Sequence, residues 1–539
     1  MRARGWVLAV PLTFVGVFFV VPVVAVVWTG LRPHGAWDLT PAGDVLGSLR
    51  TWRVLGFTAL QATLSAAVTL ALALPASYVI ARFTFPGRGL LRAGVVIPFV
   101  LPTVVVGVAF LGILGPRGLL GVDLTGTMVA LLAAHAFLNF AVVVRTVGSL
   151  LAQLDPRQEE AARMLGASRW SAFRTVTWPL VQPAVVASAV IVFLFCFTSF
   201  GVVQVLGAGR LRTLEVEIYR ATAVRLDLAA AAALAVLQLV AVLSVIVVLD
   251  RVQRRREVQQ RLVPVDEVAR PARTAGERVA VGVTATLTAV LLAAPVVVLV
   301  ARSFRTPQGW SLDYWRALFT DTGSTAFVDP LRAVATSLST ACVAAAIAVT
   351  VGGLAAFALA RRGRGPLASG TDALLVLPLG TSAVTVGLGM FLALDAPPLD
   401  LRDSWWLVPI AQALVAVPFV VRILTPVLRS FDDRLLDAAA LLGARPARAR
   451  RTVLLPALVP PLVVSIAFAF AISIGEFGAT VFLARADRPT LPVAIVRLLG
   501  RPGDLNLGQA YAASALLLIV TLVVVALADR VRVGRLGEF

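Results

Sequence analysis

Glu160-Ala161-Ala162-Arg163-Met164-Leu165-Gly166-Ala167 and Asp437-Ala438-Ala439-Ala440-Leu441-Leu442-Gly443-Ala444 are two copies of one glycine-ended octet, set in an otherwise strongly apolar chain. A shift of 277 residues carries the first onto the second and keeps matching downstream. Thr175-Val176 falls on Thr452-Val453, Pro179 on Pro456, Ser188 on Ser465, Phe200-Gly201 on Phe477-Gly478, and Thr213-Leu214 on Thr490-Leu491. Upstream, Arg145 falls on Arg422. Self-similarity at a fixed offset marks a duplicated architecture, so the chain reads as two homologous halves.

Each octet predicts a short helix. Asp155-Pro156 supplies a cap and a proline suited to a first turn, Glu159 and Glu160 put acids at the positive end of the helix dipole, and Gly166 ends it. In the second copy Asp432 and Asp433 precede Leu435-Leu436-Asp437, and Gly443 is the stop. A short surface helix on each half makes a pair of knobs suited to a two-fold partner.

Working outward, the surroundings are those of a membrane protein. Of 539 residues 59% are hydrophobic and 14% charged, against about 45–50% apolar in a soluble domain. Runs able to cross the hydrocarbon core, which takes about 20 apolar helical residues, fall near 6–31, 57–81, 93–114, 126–152, 180–206 and 228–250. A second set falls near 278–302, 334–360, 371–394, 405–429, 458–484 and 509–528. The expected fold is therefore all-α and integral to the membrane, with twelve transmembrane helices as two six-helix repeats. The first run lacks a cleavage site and continues past Val27, so it reads as an uncleaved helix.

Arginines concentrate in alternate loops: Arg82, Arg88 and Arg92; Arg157, Arg163, Arg169 and Arg174; Arg251 to Arg261; Arg361, Arg362 and Arg364; Arg434 to Arg451; and Arg530 to Arg535. The opposite loops hold Asp38, Asp44, Asp123, Asp313, Asp321, Asp329, Asp400 and Asp403. The positive-inside rule then puts both termini and both octets in the cytoplasm. The charged, proline-containing stretch 251–277 reads as a cytoplasmic linker. It divides a first repeat, 1–250 with its octet loop at about 153–179, from a second, 278–539 with its loop at about 430–456.

The net charge of +19 comes from these loop arginines, with no basic face interleaved with aromatics, so it argues for membrane orientation and against nucleic acid. There is no lysine in the chain, which excludes a phosphate loop of the G-x-x-x-x-G-K type. ATP, if used at all, must be hydrolysed elsewhere. Cys196 and Cys342 lie in apolar runs, and His34 and His135 have no partners at ligand spacing. No metal, cofactor or catalytic residue is expected.

Glu160-Ala161-Ala162 with Gly166 and Pro179, and Asp437-Ala438-Ala439 with Gly443 and Pro456, resemble the EAA loop of type I ABC importer permeases. The resemblance spans nearly the whole chain. It implies a fused two-half permease in a bacterial inner membrane, with a dimer of cytoplasmic ATPase subunits, an extracytoplasmic solute-binding protein and a small solute as partners. It implies also that Glu160, Ala161, Ala162, Gly166, Asp437, Ala438, Ala439 and Gly443 couple to the ATPase. The second copy departs from the pattern at Asp437, and at Arg450 where the first has Phe173.

Candidate pathway residues lie in the fifth span of each half, at Ser199-Phe200 and Glu476-Phe477, with Asn139 in the fourth. An acid within a span is costly and by default marks a functional cavity, so Glu476 is expected at the interface between halves. His135-Ala136-Phe137-Leu138-Asn139 and Thr213 to Tyr219 resemble the thiamine and ferric iron permeases, whereas Gly475 to Thr480 also resembles those for molybdate and sulfate. Thiamine or ferric iron leads, with molybdate, sulfate or polyamine as alternatives. An ion-coupled carrier would hold several intramembrane acids and a Gly-Asp-Arg-Gly-type loop, where this chain has Arg82-Phe83-Thr84-Phe85-Pro86-Gly87-Arg88.

Overall fold

The computed structural model describes residues 5–32, 36–254, 269–320, 330–361, 370–372, 374–375, 377–378, 381–395, 400–432 and 434–533. Much of the 251–277 linker, part of the 371–394 run, His34, Asp321, Asp329, Arg362, Arg364, Asp433 and Arg535 lie outside them. Among the described residues the regular structure is helical apart from two pairs of two-residue strands.

Ten helices are long and apolar enough to cross a membrane among the described residues: Val7–Leu31, Leu49–Arg82, Met128–Leu151, Trp170–Phe197, Leu228–Val247, Ala275–Phe304, Pro330–Arg361, Leu407–Ser430, Pro446–Gly475 and Asp504–Ala528. Their outward faces carry large apolar side chains. On Ala275–Phe304, for example, Val279, Val283, Leu287 and Val290 recur at helical spacing and are all exposed, a lipid-facing stripe. Inward faces are small: Ala341, Ala344, Ala345 and Ala348 are buried on Pro330–Arg361, which lets helices approach closely where lipid offers no hydrophobic driving force.

The structure departs from an even series of straight spans. The run at 93–114 is bent by 107° between Arg88–Val100 and Thr103–Leu114. Pro102 stands at the break and cannot continue the backbone ladder. At 371–394 only the helix Ala383–Ala393 is long and apolar among the described residues. The runs at 180–206 and 458–484 are helical only to Phe197 and Gly475, and a short second helix comes after each, Gly201–Leu206 and Thr480–Leu483.

Packing sorts the chain into two compact units. One comprises Leu46–Glu217 and Leu237–Arg305; the other comprises Met1–Val45, Ile218–Val236 and Thr306–Phe539. The helix Val7–Leu31 thus packs with the second half, against Ala383–Ala393, and Ala275–Phe304 packs with the first, against Thr103–Leu114. In the first unit Phe83–Thr84 pairs in parallel with Arg270–Pro271. Arg270 lies over the Phe83 ring at 5.1 Å and bonds Glu277 at 2.8 Å. The Glu277 carboxylate, aided by its position in a capping box with Thr274, holds the Arg270 guanidinium above its ordinary pKa.

Candidate functional site

The two octets form the helices Arg157–Met164 and Arg434–Leu441. Asp155 Oδ1 accepts from the Arg157 N–H at 2.9 Å, and Asp432 Oδ1 from the Arg434 N–H at 2.9 Å, so each first turn is started by an aspartate two residues upstream. Each last turn ends in the same way. The Gly166 N–H donates to the Arg163 carbonyl at 3.0 Å and the Ala167 N–H to the Ala162 carbonyl at 3.1 Å. Gly443 donates to Ala440 at 2.9 Å and Ala444 to Ala439 at 3.0 Å. This paired closure needs a left-handed residue, and Gly166 and Gly443 supply it at φ 92° and 83°.

The turn pushes two apolar side chains into the open at each knob. Met164 and Leu165, like Leu441 and Leu442, are about 90% exposed, beside the charged surface of a loop and away from the lipid-facing stripes. Neither helix has a buried residue. Each capped helix thus ends in two adjacent large apolar side chains that are almost fully exposed.

Behind each knob the chain enters the fifth span through one wide helical turn, Phe173–Thr177 in the first copy and Arg450–Leu454 in the second. Pro179 and Pro456 come next at matched positions. Proline has no N–H for the carbonyl four residues back and its ring crowds that carbonyl, so the ladder widens to the next one. The knobs are tied to this turn differently. In the first copy Thr177 Oγ1 donates to Glu159 Oε2 at 3.0 Å. In the second, Leu454 and Leu436 occupy those positions. Arg82, buried at the end of Leu49–Arg82, adds a bond to the Leu154 carbonyl at 3.1 Å just before the first knob. The sequence reading missed Glu159, Thr177 and Arg82 as supports.

The fifth-span residues sit at the helix breaks. Phe200 and Phe477 are buried, and the glycine after each packs against the start of another helix, Thr103–Leu114 in the first copy and Ala383–Ala393 in the second. A Cβ on Gly201 would run into Thr103 Oγ1, and one on Gly478 would lie 2.9 Å from the Ala383 Cβ. Glu476 turns back on its own chain: Oε1 accepts from the Ala479 N–H at 2.7 Å and Oε2 from the Thr480 N–H at 3.0 Å. It thereby caps the short helix beyond it.

Ser199 and Asn139 are brought together through groups that the sequence reading ranked lower or passed over. His135 stands between Ser65 and Ser199, with Nδ1 3.0 Å from Ser65 Oγ and Nε2 2.9 Å from Ser199 Oγ. Asn139 Nδ2 donates to the His135 carbonyl at 2.9 Å and contacts Cys196 Sγ at 3.4 Å, while Gln61 Nε2 donates to the Cys196 carbonyl at 2.8 Å. All six residues are buried. A signal for Gln61 and Ser65 was present: Thr58, Gln61, Ser65 and Thr69 form a polar stripe at helical spacing.

Ten helices long and apolar enough to cross a membrane, among the described residues, and two matched capped helices in polar loops place the chain among membrane-embedded helical proteins. The chain belongs to the family of binding-protein-dependent transport system inner membrane components, which it matches twice, over residues 70–258 and 331–533. It is similar to the thiamine transport system permease protein of Brucella abortus (28% identity, 90% of this chain and 89% of the relative). It is similar also to that of Escherichia coli (26%; 83% and 84%) and to a probable ABC transporter permease protein of Sinorhizobium fredii (26%; 97% and 95%). The chain is a permease of an ABC importer, fused from two halves; it is a transport component and not an enzyme, and it works with an ATPase and a binding protein.

Proposed function

We propose that the chain imports thiamine, as the permease of a complex with two copies of an ATPase subunit on the cytoplasmic face and a solute-binding protein outside. The observation that carries the ATPase assignment is the duplicate knob, with the same closure at Gly166 and Gly443 and the same pair of exposed apolar side chains. Equal geometry at repeat-related positions suits two equal partners. Glu160, Ala161, Ala162 and Gly166, with Asp437, Ala438, Ala439 and Gly443, form the two coupling helices. Both termini face the cytoplasm, as the loop arginines require.

In this reading the repeats are 1–250 and 278–539, joined by the 251–277 linker, with six spans each. The broken third span of the first half, Arg88–Leu114, has its twin in 371–394. The support is the repeated contact of Gly201 with Thr103 and of Gly478 with Ala383. The pathway runs past the fifth-span breaks, where Ser199, Phe200, Glu476 and Phe477 stand, with Asn139 behind the first. Thiamine as solute rests on the relatives that cover most of this chain.

The test is uptake of radiolabelled thiamine into proteoliposomes holding the permease, its ATPase and its binding protein. ATP-dependent accumulation is expected. Accumulation of another solute delivered by the same binding protein, with none of thiamine, refutes the substrate while leaving the permease class in place.

A further inference from the structure

The two fifth-span breaks, so alike in sequence, are held by different means. In the first unit three elements meet at the break through side chains. Ser65 and Gln61 come from Leu49–Arg82, His135 and Asn139 from Met128–Leu151, and Cys196 and Ser199 from the end of the fifth span. A neutral imidazole has one donor and one acceptor, so the Ser65–His135–Ser199 chain has both ring nitrogens engaged.

In the second unit the same links cannot form. Leu214 and Leu491 each donate a backbone N–H to a hydroxyl of the second span, Thr58 and Ser337 respectively. This sets the register between the two second spans, and in that register Ala344 stands where Ser65 does, without a hydroxyl. Gln412 stands at the His135 position, its Oε1 buried with no hydrogen-bond partner among the described residues. Glu476 replaces Ser199 and spends both oxygens on the backbone of Ala479 and Thr480.

The first-unit helices that meet at His135 also reach the knob. From Ser65 the helix Leu49–Arg82 runs on for about 25 Å at 1.5 Å per residue to Arg82, which holds the Leu154 carbonyl at the start of the knob loop. The fifth span starts where Thr177 holds Glu159 on the knob itself. Knob, fifth span, His135 and second span thus form a closed frame braced at both ends.

We propose that His135 is the positioning residue that closes this frame, so that displacement of the first knob reaches the break at Ser199 without loss, while the second half, lacking the brace, yields at its break. The inference rests on the coupling role of the knob and not on the identity of the solute.

The test uses the full complex with ATPase and binding protein in proteoliposomes, in a Cys342→Ser background that leaves Cys196 as the chain's single thiol. Two quantities are read: thiamine taken up per ATP hydrolysed, and the rate at which N-ethylmaleimide labels Cys196. His135→Leu removes two membrane-buried hydrogen bonds, which at their typical strength shift an equilibrium roughly tenfold. Uptake per ATP should fall about tenfold while hydrolysis continues, and Cys196 labelling should rise by a similar factor. His135→Gln, which keeps one donor and one acceptor, should stay close to the parent in both.

If the leucine variant does not assemble, Ser65→Ala removes one bond and should give about a threefold change. Retention of both parental values in His135→Leu, or equal losses in the Leu and Gln variants, overturns the proposal. Should the parent complex take up no thiamine, the substrate reading fails, and Cys196 labelling with and without ATP still decides for or against the brace.

Discussion

Replacing Gly166 by Asp separates the turn at the knob from the rest of the molecule. A Cβ at Gly166 or at Gly443 would meet nothing within 4 Å, so the substitution strains the backbone without a clash and the protein should still enter the membrane. At φ 92° the residue is left-handed, which costs an L-residue about 1–2 kcal/mol, toward the low end for Asp. The new carboxylate sits at the negative end of the helix dipole, costing about 0.3–1 kcal/mol more. Together these give about 1.5–2 kcal/mol, or roughly 10–30-fold, for keeping the knob in its docking form. The assay is retention of the ATPase by the tagged permease during purification, read against a thermal-shift measurement of the permease alone. Gly166→Asp and Gly443→Asp should each weaken retention about tenfold with little change in melting temperature, and the first should be the more damaging because its knob is tied to the fifth span through Glu159 and Thr177. Parental retention of ATPase by both variants, with undiminished uptake, would show that the octets are connectors and not couplers.

Thr177→Val breaks the Glu159 bond, a partly buried contact worth about 1 kcal/mol, and should lower ATP-driven uptake several-fold, whereas the matching Leu454→Val should leave coupling near the parent; similar effects from both would discount the bond. Gly201→Ala forces a methyl against Thr103 Oγ1 and should cost about 1–3 kcal/mol by overpacking, seen as a lowered melting temperature in detergent; an unchanged melt would mean the third span moves away freely. Cysteines introduced into 251–277 should react only with reagent on the cytoplasmic side and those in 395–404 only from outside, and the reverse pattern would overturn the orientation.

The octets were legible because their chemistry is local: an aspartate before the helix, acids in its first turn and a glycine after it need no tertiary context. The wide turns ahead of Pro179 and Pro456 were not read from the sequence, although the matched prolines that cause them were in view. The bend at Pro102 had a visible signal, yet a window of apolar residues averages across it, because Leu101 and Thr103 are as compatible with lipid as any neighbour. The exchange of first spans left no trace in the sequence: Val7–Leu31 and Ala275–Phe304 are apolar all round, and nothing in such a face says which helix covers it. Glu476 reads as a pathway acid by its depth; that its carboxylate also accepts from the Ala479 and Thr480 N–H groups is a detail only the fold supplies. Gln61 and Ser65 formed a visible stripe, and only the fold could say that it meets His135 and Cys196.

The most direct test of the central claim is ATP turnover measured on the permease alone, on the ATPase alone, and on the complex in proteoliposomes with the binding protein outside. The account predicts no hydrolysis by the permease, and solute uptake that requires the ATPase and is lost when the tips Met164-Leu165 and Leu441-Leu442 are changed to serine. Hydrolysis by the isolated chain, or uptake driven by a proton gradient that ignores those tips, would contradict it.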